Sequence, residues 1–234
     1  MLKFHKYVFA KNNPNILRFV STTVTPINNT VVPPQYPFKL LSLKLGYIQD
    51  IKLHDNSDKM YISQVKIGAS QDTNEKKNIL QVVSGLKHYI PMDKLLNSIV
   101  VVATNLKPSK LRGVRSEGML MCGSLSQNHN GSNVVEKVEL CSLPKNLNKT
   151  QGDLINLIGS QVILNEDVDT IGATVRKIKS KELENILNNL YVGDNYQVVF
   201  RDLTGKENQL VIKTDNGEKI PIVVESLPRG SKVY

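Results

Sequence analysis

The chain has 234 residues, 40% of them hydrophobic, which is enough for one large or two small domains with a proper core. Its formal charge of +9 favours an anionic partner, nucleic acid or acidic lipid, without choosing between the two. Two cysteines are too few for a disulfide framework, and no apolar run approaches the ~20 residues that a membrane-spanning helix needs. These features predict a soluble or peripheral protein.

The amino-terminal segment is basic, and its first acidic residue is Asp50. The first 20 residues contain four cations: Lys3, Lys6, Lys11 and Arg18. With the serine and threonine residues that follow, this composition is typical of a mitochondrial transit peptide. Residues 1–20 are therefore predicted to be a presequence for the mitochondrial matrix, and its removal would lower the charge from +9 to +5. The alternative for this segment is a disordered basic arm that touches RNA, and the alternative for the location is the cytoplasm.

Residues 21–38 are predicted to form a linker, because their prolines exclude a helix or a central strand. Beyond Leu40, apolar and polar residues alternate up to His54, which predicts a long strand with one buried face and a bend at Gly46. In that alternation Ile48 falls on the polar face. Further strands are predicted at 60–67, 79–84, 99–103, 117–122 and 134–140, with a short helix at 91–97 and a polar loop at 124–133.

This order of strands around a short helix is that of a five-stranded oligonucleotide-binding (OB) barrel, although periodicity alone leaves a sandwich open. Beyond Pro144 a second set of elements begins. It comprises strands at 159–164, 196–200, 210–212 and 220–224, a turn at 215–217 and a helix at 180–190. Glu182 does not stand at the capping-box position relative to Ser180, so the helix can begin a turn away.

The stretch from Asn105 to Cys122 is the most informative part of the chain. It lies between two apolar runs and places four cations within nine residues: Lys107, Lys110, Arg112 and Arg115. Strands at both ends would present these charges at a fixed place to an anionic partner. An ordinary solvated charged turn is the alternative. Cys122 and its distant counterpart Cys141 lie among apolar residues and are predicted to be buried free thiols.

Residues 105–119 read Asn-Leu-Lys-Pro-x-Lys-x-Arg-Gly-x-x-Ser-x-Gly-Met, which resembles the signature of the tRNA-binding OB-fold domain. That domain is appended to some bacterial methionyl- and phenylalanyl-tRNA synthetases. It also forms the C-terminal module of eukaryotic synthetase cofactors and of the endothelial monocyte-activating polypeptide. Residues 54–61 resemble the family's His-Pro-x-Ala-Asp-x-Leu-Tyr, with Asp55, Ser57 and Met60 in place of proline, alanine and leucine.

The resemblance implies a mainly β protein. An OB barrel would span residues 39–144, and a C-terminal α+β extension over residues 145–234 would pack on it. In relatives this extension imitates a dimer interface, which implies a monomer. RNA contacts are expected from seven residues: Asn105, Lys107, Lys110, Arg112, Arg115, Ser116 and Met119. Two alternatives stay open, because Asn105 could instead hold the loop by bonding its own backbone and Met119 could be a core residue.

The chemistry of these residues suits a phosphate backbone. Fixed cations neutralise phosphates, Arg112 can bind one through two hydrogen bonds, and Ser116 can donate to a phosphate or a ribose hydroxyl. The four histidines show no metal-ligand spacing, and nucleotide-binding, nucleophile and synthetase motifs are absent. We therefore expect a non-catalytic tRNA-binding protein without cofactor or metal, assisting aminoacylation or tRNA handling in trans, with tRNA as its partner and a synthetase as a candidate second partner. A protein-interaction or chaperone-like module that docks on a synthetase is the alternative.

Overall fold

The computed structural model describes residues 37–68, 78–129, 132–166 and 176–234. The predicted presequence lies outside these residues, as does the predicted linker except for its last two residues. Of these two, Phe38 is buried and begins a short 3-10 turn that ends at Leu40. The described residues from 37 onward belong to one compact unit.

The elements of the amino-terminal half are mostly strands. They are β1 (Leu43–Leu53), β2 (Tyr61–Lys66), β3 (Ile79–Ser84), α1 (Met92–Leu95), β4 (Ile99–Ala103), β5 (Ser109–Leu111), β6 (Val114–Ser116), β7 (Met119–Leu120), β8 (Cys122–His129) and β9 (Ser132–Leu140). The remaining elements are α2 (Gln151–Asn156), β10 (Gln161–Leu164), α3 (Ser180–Leu187), β11 (Leu190–Val192), β12 (Val198–Arg201), β13 (Glu207–Lys213), β14 (Lys219–Pro221) and β15 (Lys232–Val233). The prediction of a mainly β protein is confirmed.

The first strands form an OB-type barrel that is open along one seam. β1 pairs antiparallel with β2 and β4, β2 pairs with β3, and β4 pairs with β7. Across the seam between β3 and the segment after β6, the Glu117 N–H donates to the Gln81 carbonyl at 2.8 Å. Beside it, the Val83 N–H donates to the Ser116 hydroxyl at 3.1 Å. Single hydrogen bonds thus hold this edge where a continuous ladder is missing.

Strand β4 is buried on both faces, and each face belongs to a different hydrophobic core. Val100 and Val102 lie in the core inside the barrel, and Val101 and Ala103 lie in a second core, which we call the shared core. The shared core contains barrel residues such as Leu43 together with residues of the extension. Burial on both faces explains why the sequence of β4 is an unbroken apolar run.

The predicted alternation along β1 is wrong at Ile48 and at Leu53. Ile48 is fully buried in the core inside the barrel, and Leu53 is 49% exposed. A register shift between Ile48 and Asp50 allows Ile51, three residues after Ile48, to point into the same core. Gly46 is not the site of this irregularity. It lets two strands approach closely, because a Cβ atom there would lie 2.7 Å from the Cγ1 atom of Val65.

Residues 124–129 and 132–133 form strands and not the predicted loop. β8 continues to His129 and pairs with β9 in a long antiparallel ladder from Cys122↔Leu140 to His129↔Ser132. Backbone hydrogen bonds between two strands do not depend on apolar side chains. A polar arm can therefore be a strand without the alternation that sequence patterns detect.

The extension is joined to the barrel through backbone pairing as well as through the shared core. Leu43 of β1 pairs with Val162 of β10, and Lys232 of β15 pairs with Ser124 of β8. One sheet therefore continues from the barrel into the extension. The sequence boundary at 144/145 separates two sets of elements but does not separate two cores.

Helix α2 was not predicted, although Thr150 and Asp153 form a capping box at its start. Helix α3 begins at Ser180, as predicted, but it ends at Leu187 and not at Leu190, which begins β11. Lys179 is the N-cap residue, and the Glu182 carboxylate accepts from the Lys179 N–H at 3.0 Å. Glu182 therefore stands three residues after the N-cap, which is the position of the acidic residue in a capping box.

Both cysteines are buried free thiols, as predicted. Burial raises the pKa of Cys122 to about 12 and raises the pKa of Cys141 well above its ordinary value. Thiols that stay protonated in a core are poor nucleophiles and poor metal ligands.

The shared core predicts that barrel and extension unfold together. Ile212 of β13 is fully buried in that core, so Ile212→Ala should lower the free energy of unfolding by about 2–5 kcal/mol. Hydrogen exchange should show lost protection in β1 and β4 as well as in the extension. Leu203→Ala, at a side chain that is 65% exposed, is the control and should change stability by less than about 0.5 kcal/mol. Loss of protection confined to the extension would contradict the shared core.

Candidate nucleic-acid interface

The basic loop of the sequence is a β-hairpin. β5 and β6 form a two-stranded sheet of their own, separate from the barrel sheet. Its two-residue turn consists of Arg112 at φ 48° and Gly113 at φ 91°. Positive φ at both positions is the feature of a type I′ turn, whose twist fits a tight hairpin. Arginine costs roughly 1–2 kcal/mol more than glycine in this conformation, and the turn places Arg112 exposed at the tip.

The outer face of the hairpin is cationic. Lys110 and Arg115 stand directly opposite each other across the two strands, and both are exposed. Exposed Lys107 precedes the hairpin and Arg112 lies at its tip. Within the part of the chain that the structure describes, Lys107, Lys110 and Arg112 form no ion pair. Because like charges placed opposite each other destabilise a strand pair, this face carries positive charge at some cost to the hairpin itself.

Arg115 differs from the other three cations in having an acidic neighbour. Its Nε atom donates to the Oε1 atom of Glu117 at 3.1 Å. The Arg115 carbonyl also accepts from the side-chain amide of Gln81 at 2.7 Å. The side chain and the backbone carbonyl of Arg115 are therefore both hydrogen-bonded to residues at the seam of the barrel.

The inner face of the hairpin rests on the barrel. Ser116 is buried, where its hydroxyl accepts from the Val83 N–H and donates to the Gly118 carbonyl, each at 3.1 Å. The structure therefore places Ser116 in the seam and not on the outer surface. Met119 is half-buried in β7 and packs against the shared core, as the core alternative for this residue expected.

His54 supports the hairpin near its turn. It is 3% exposed, and its Nδ1 atom accepts from the Asn56 N–H at 3.0 Å. The ring proton is therefore on Nε2, which donates to the Leu111 carbonyl at 3.1 Å. His54 is a turn residue, and its bond to Leu111 connects the β1–β2 turn with the hairpin.

Asn105 joins three segments at the base of the hairpin. It is buried, and its Oδ1 atom accepts from the Ser42 N–H at 2.9 Å. Its Nδ2 atom donates to the carbonyls of Leu40 and Arg176, at 2.8 and 2.9 Å. The Asn105 carbonyl accepts from the Ile178 N–H at 3.0 Å. Asn105 therefore holds the backbone of two distant segments, and the alternative that it bonds its own backbone is wrong.

The segment that Asn105 binds is itself fixed by an ion pair. Arg176 donates to both carboxylate oxygens of Glu182 at 2.7 and 2.8 Å. The Arg176 guanidinium, helped by the Lys179 N–H, lowers the pKa of the Glu182 carboxyl to about 2. The pair is therefore charged throughout the physiological range, and the start of α3 is connected to the base of the hairpin.

Sequence reasoning missed two members of this site. Glu117 and Gln81 orient Arg115, yet neither is a cation. The signal for Glu117 was its position two residues after Arg115, because residues i and i+2 of a strand point to the same face. Gln81 carried no such signal, since only the fold brings β3 beside β6.

The described residues include no group of three histidine, cysteine or acidic side chains arranged to hold a metal ion. The helices among these residues are all too short or too polar to cross a membrane.

Comparison with known proteins identifies the barrel. Residues 43–146 match the family model described as "Putative tRNA binding domain". The cytoplasmic tyrosine–tRNA ligase of Xenopus tropicalis is 40% identical over 92 residues, which cover 39% of this chain and 16% of that protein. The aminoacyl tRNA synthase complex-interacting multifunctional protein 1 of Cricetulus griseus is 35% identical over 104 residues, 44% of this chain and 24% of that protein. The chain thus spans a quarter or less of the length of these relatives.

A solved structure extends the likeness into the extension. The C-terminal domain of Plasmodium vivax p43 superimposes with a TM-score of 0.59 and 21% sequence identity. The match covers 83% of this chain and 97% of that one. At this identity the likeness concerns the fold alone. The family match over residues 43–146 confirms the resemblance read from residues 105–119.

Asn105 provides a test of how the hairpin is held. Asn105→Ala would leave a buried N–H and two carbonyls without their partner, so the free energy of unfolding should fall by about 1–3 kcal/mol in chemical denaturation. Hydrogen exchange should also increase at residues 40–42 and 176–178. The control is Asn188→Ala at an exposed position of the extension, with an expected change below about 0.5 kcal/mol. Equal effects of the two substitutions would show that Asn105 is not a junction.

Proposed function

We propose, on the premise that residues 43–146 form a domain of the tRNA-binding family, that this protein binds structured tRNA and catalyses no reaction itself. The observation that carries the proposal is the outer face of the β5–β6 hairpin. It presents four cations on a short, tethered support, and three of them have no acidic partner within the described chain. Such a face suits a polyanion with regularly spaced charges.

Contacts to the phosphate backbone account for most of the proposed affinity. Lys107 and Lys110 act as point charges, and Arg112 and Arg115 can each bind a phosphate through two hydrogen bonds. Asn105 and Ser116 act indirectly, because both are buried and hold the hairpin in place. Recognition of this kind reads the shape of a folded RNA more than its sequence.

Acidic lipid was the other anionic partner that the charge allowed. Peripheral membrane segments combine cations with large apolar side chains that enter the lipid boundary. Residues 105–118 are all described, and none of the large exposed apolar side chains of the structure lies among them. This composition favours RNA over a membrane surface.

The wider role follows from the named relatives and remains a proposal. They are aminoacyl-tRNA ligases and a protein named for its interaction with a synthase complex. The chain matches only a small part of each of them. We therefore propose that it assists aminoacylation or tRNA handling in trans, with a synthetase as a candidate partner.

Oligomeric state and location are also part of the proposal. The shared core between barrel and extension supports a monomer, since the extension covers a barrel face that would otherwise be exposed. The basic composition of residues 1–20 supports import into the mitochondrial matrix, with the cytoplasm as the alternative.

The hairpin cations make the RNA proposal testable. The double substitution Lys110→Ala with Arg112→Ala should weaken binding to an unfractionated tRNA mixture at least about tenfold. The slope of log affinity against log salt should fall by about 2, because two phosphate contacts are lost. Fluorescence anisotropy over a range of salt concentrations measures both quantities.

A matched pair of cations outside the hairpin supplies the control. Lys94 and Lys181 are exposed, and their replacement by alanine removes the same charge. This control variant should keep nearly full affinity. If both double variants lose affinity equally, net charge and not the hairpin is responsible; if the hairpin variant folds and binds as before, the RNA proposal is wrong.

Crosslinking in cells tests partner and compartment together. After ultraviolet crosslinking and purification, the sequenced RNA should be enriched in mitochondrial tRNAs. Cytosolic tRNAs would contradict the location, and absence of tRNA enrichment would contradict the function. A parallel purification after nuclease treatment examines the synthetase: a partner lost with the RNA was tethered by it, and a partner retained docks on the protein directly.

A further inference from the structure

We propose that Arg115 is the bidentate phosphate ligand of the hairpin and that Glu117, an acidic residue, promotes RNA binding by positioning it. This inference rests on the proposed tRNA-binding function and adds a residue whose charge alone would oppose that function.

The ion pair between Arg115 and Glu117 leaves available the edge of the guanidinium that can bind a phosphate. Glu117 takes only the Nε atom of Arg115, at 3.1 Å. Within the described chain, the Nη1 and Nη2 atoms form no hydrogen bond or ion pair. Because a guanidinium is planar, fixing one edge also fixes the direction of the other. The outer edge then offers two parallel N–H donors, the arrangement that matches two phosphate oxygens.

Glu117 is itself held by the barrel, so it can fix the orientation of the Arg115 side chain. Its backbone N–H donates to the Gln81 carbonyl at 2.8 Å, and its Oε2 atom accepts from the Gln81 N–H at 3.3 Å. The side chain of Gln81 in turn receives a hydrogen bond from Gln64 at 3.2 Å. The carboxylate is thus held by β3, and the head of Arg115 is aligned with the body of the barrel.

Stability alone does not account for the pair. The two side chains are 61% and 32% exposed, and ion pairs at such positions contribute little to folding. The pair instead orients the Arg115 side chain, and an arginine that is already oriented loses less rotamer freedom when it binds RNA. Its contribution is therefore expected in affinity for RNA.

Lys110 completes the proposed phosphate site. It stands opposite Arg115 on the same exposed face, so a phosphate held by the Arg115 fork lies beside a second positive charge. Phosphate is favoured over a base edge, because the bases of an A-form helix are poorly accessible to side chains and its phosphates are exposed.

The direction in which Glu117→Ala changes the affinity for tRNA distinguishes a positioning role of Glu117 from an effect of its charge alone. Removing an anion beside a phosphate should strengthen RNA binding if Glu117 acts only through its charge. If Glu117 positions Arg115, Glu117→Ala should weaken tRNA binding by about 2- to 10-fold in spite of the gained positive charge. Glu117→Gln should be intermediate, because it keeps one of the two acceptor oxygens that Arg115 and Gln81 use.

A double-mutant cycle with Arg115→Ala gives the decisive comparison. Anisotropy with an unfractionated tRNA mixture is measured for the wild type, Arg115→Ala, Glu117→Ala and the double variant, with poly(U) as an unstructured reference. In the Arg115→Ala background, Glu117→Ala should leave affinity unchanged or raise it, since no guanidinium remains to be oriented. Thermal denaturation confirms that each variant is folded.

Two results would overturn the inference. Tighter tRNA binding by Glu117→Ala would show that its charge is all that matters. Equal weakening by Glu117→Ala with and without Arg115 would show that Glu117 maintains the seam of the barrel and not the arginine. Either result leaves the proposed function standing, which is tested separately by the Lys110 and Arg112 variant.

Discussion

Strand β4 is buried on both faces, and the rest of the structure depends on this constraint. One face closes the barrel and the other meets the extension, so neither half can be displaced without exposing apolar surface. β4 ends at Ala103, and Asn105 lies two residues further along the chain. The hairpin therefore begins from one of the most firmly held points of the molecule, and the hydrogen bonds of Asn105 connect that point to both halves.

The rigid base of the hairpin favours binding through its charges. A flexible basic loop would attract any polyanion and lose much of that attraction to the entropy of ordering its side chains. Here the inner face is fixed by Ser116 and by the bond from His54, and only the outer face is left to solvent. Residues that look like ligands in the sequence thus divide into two groups: exposed cations that can touch a phosphate, and buried polar groups that hold them in place.

The resemblance read from residues 105–119 correctly indicated the mainly β fold and the family whose model matches residues 43–146, and strands with an apolar pattern were located well. β3 and β4 have the predicted bounds, because a short apolar run between polar segments is a local signal. The polar arm of β8 and the short strands β5 and β6 were not predicted. Their hydrogen bonds are to backbone, and backbone pairing has no signature in side-chain hydrophobicity.

The sequence by itself determined which charges the hairpin carries and which residues are apolar, since both depend only on residue type. Tertiary structure decided the rest. It alone buried Asn105 and Ser116, placed Gln81 beside Arg115, and turned the two faces of β4 toward different cores. The physical reason is that burial and hydrogen-bond partners arise from segments far apart in the chain, and a local pattern contains no information about which distant segment will be its neighbour.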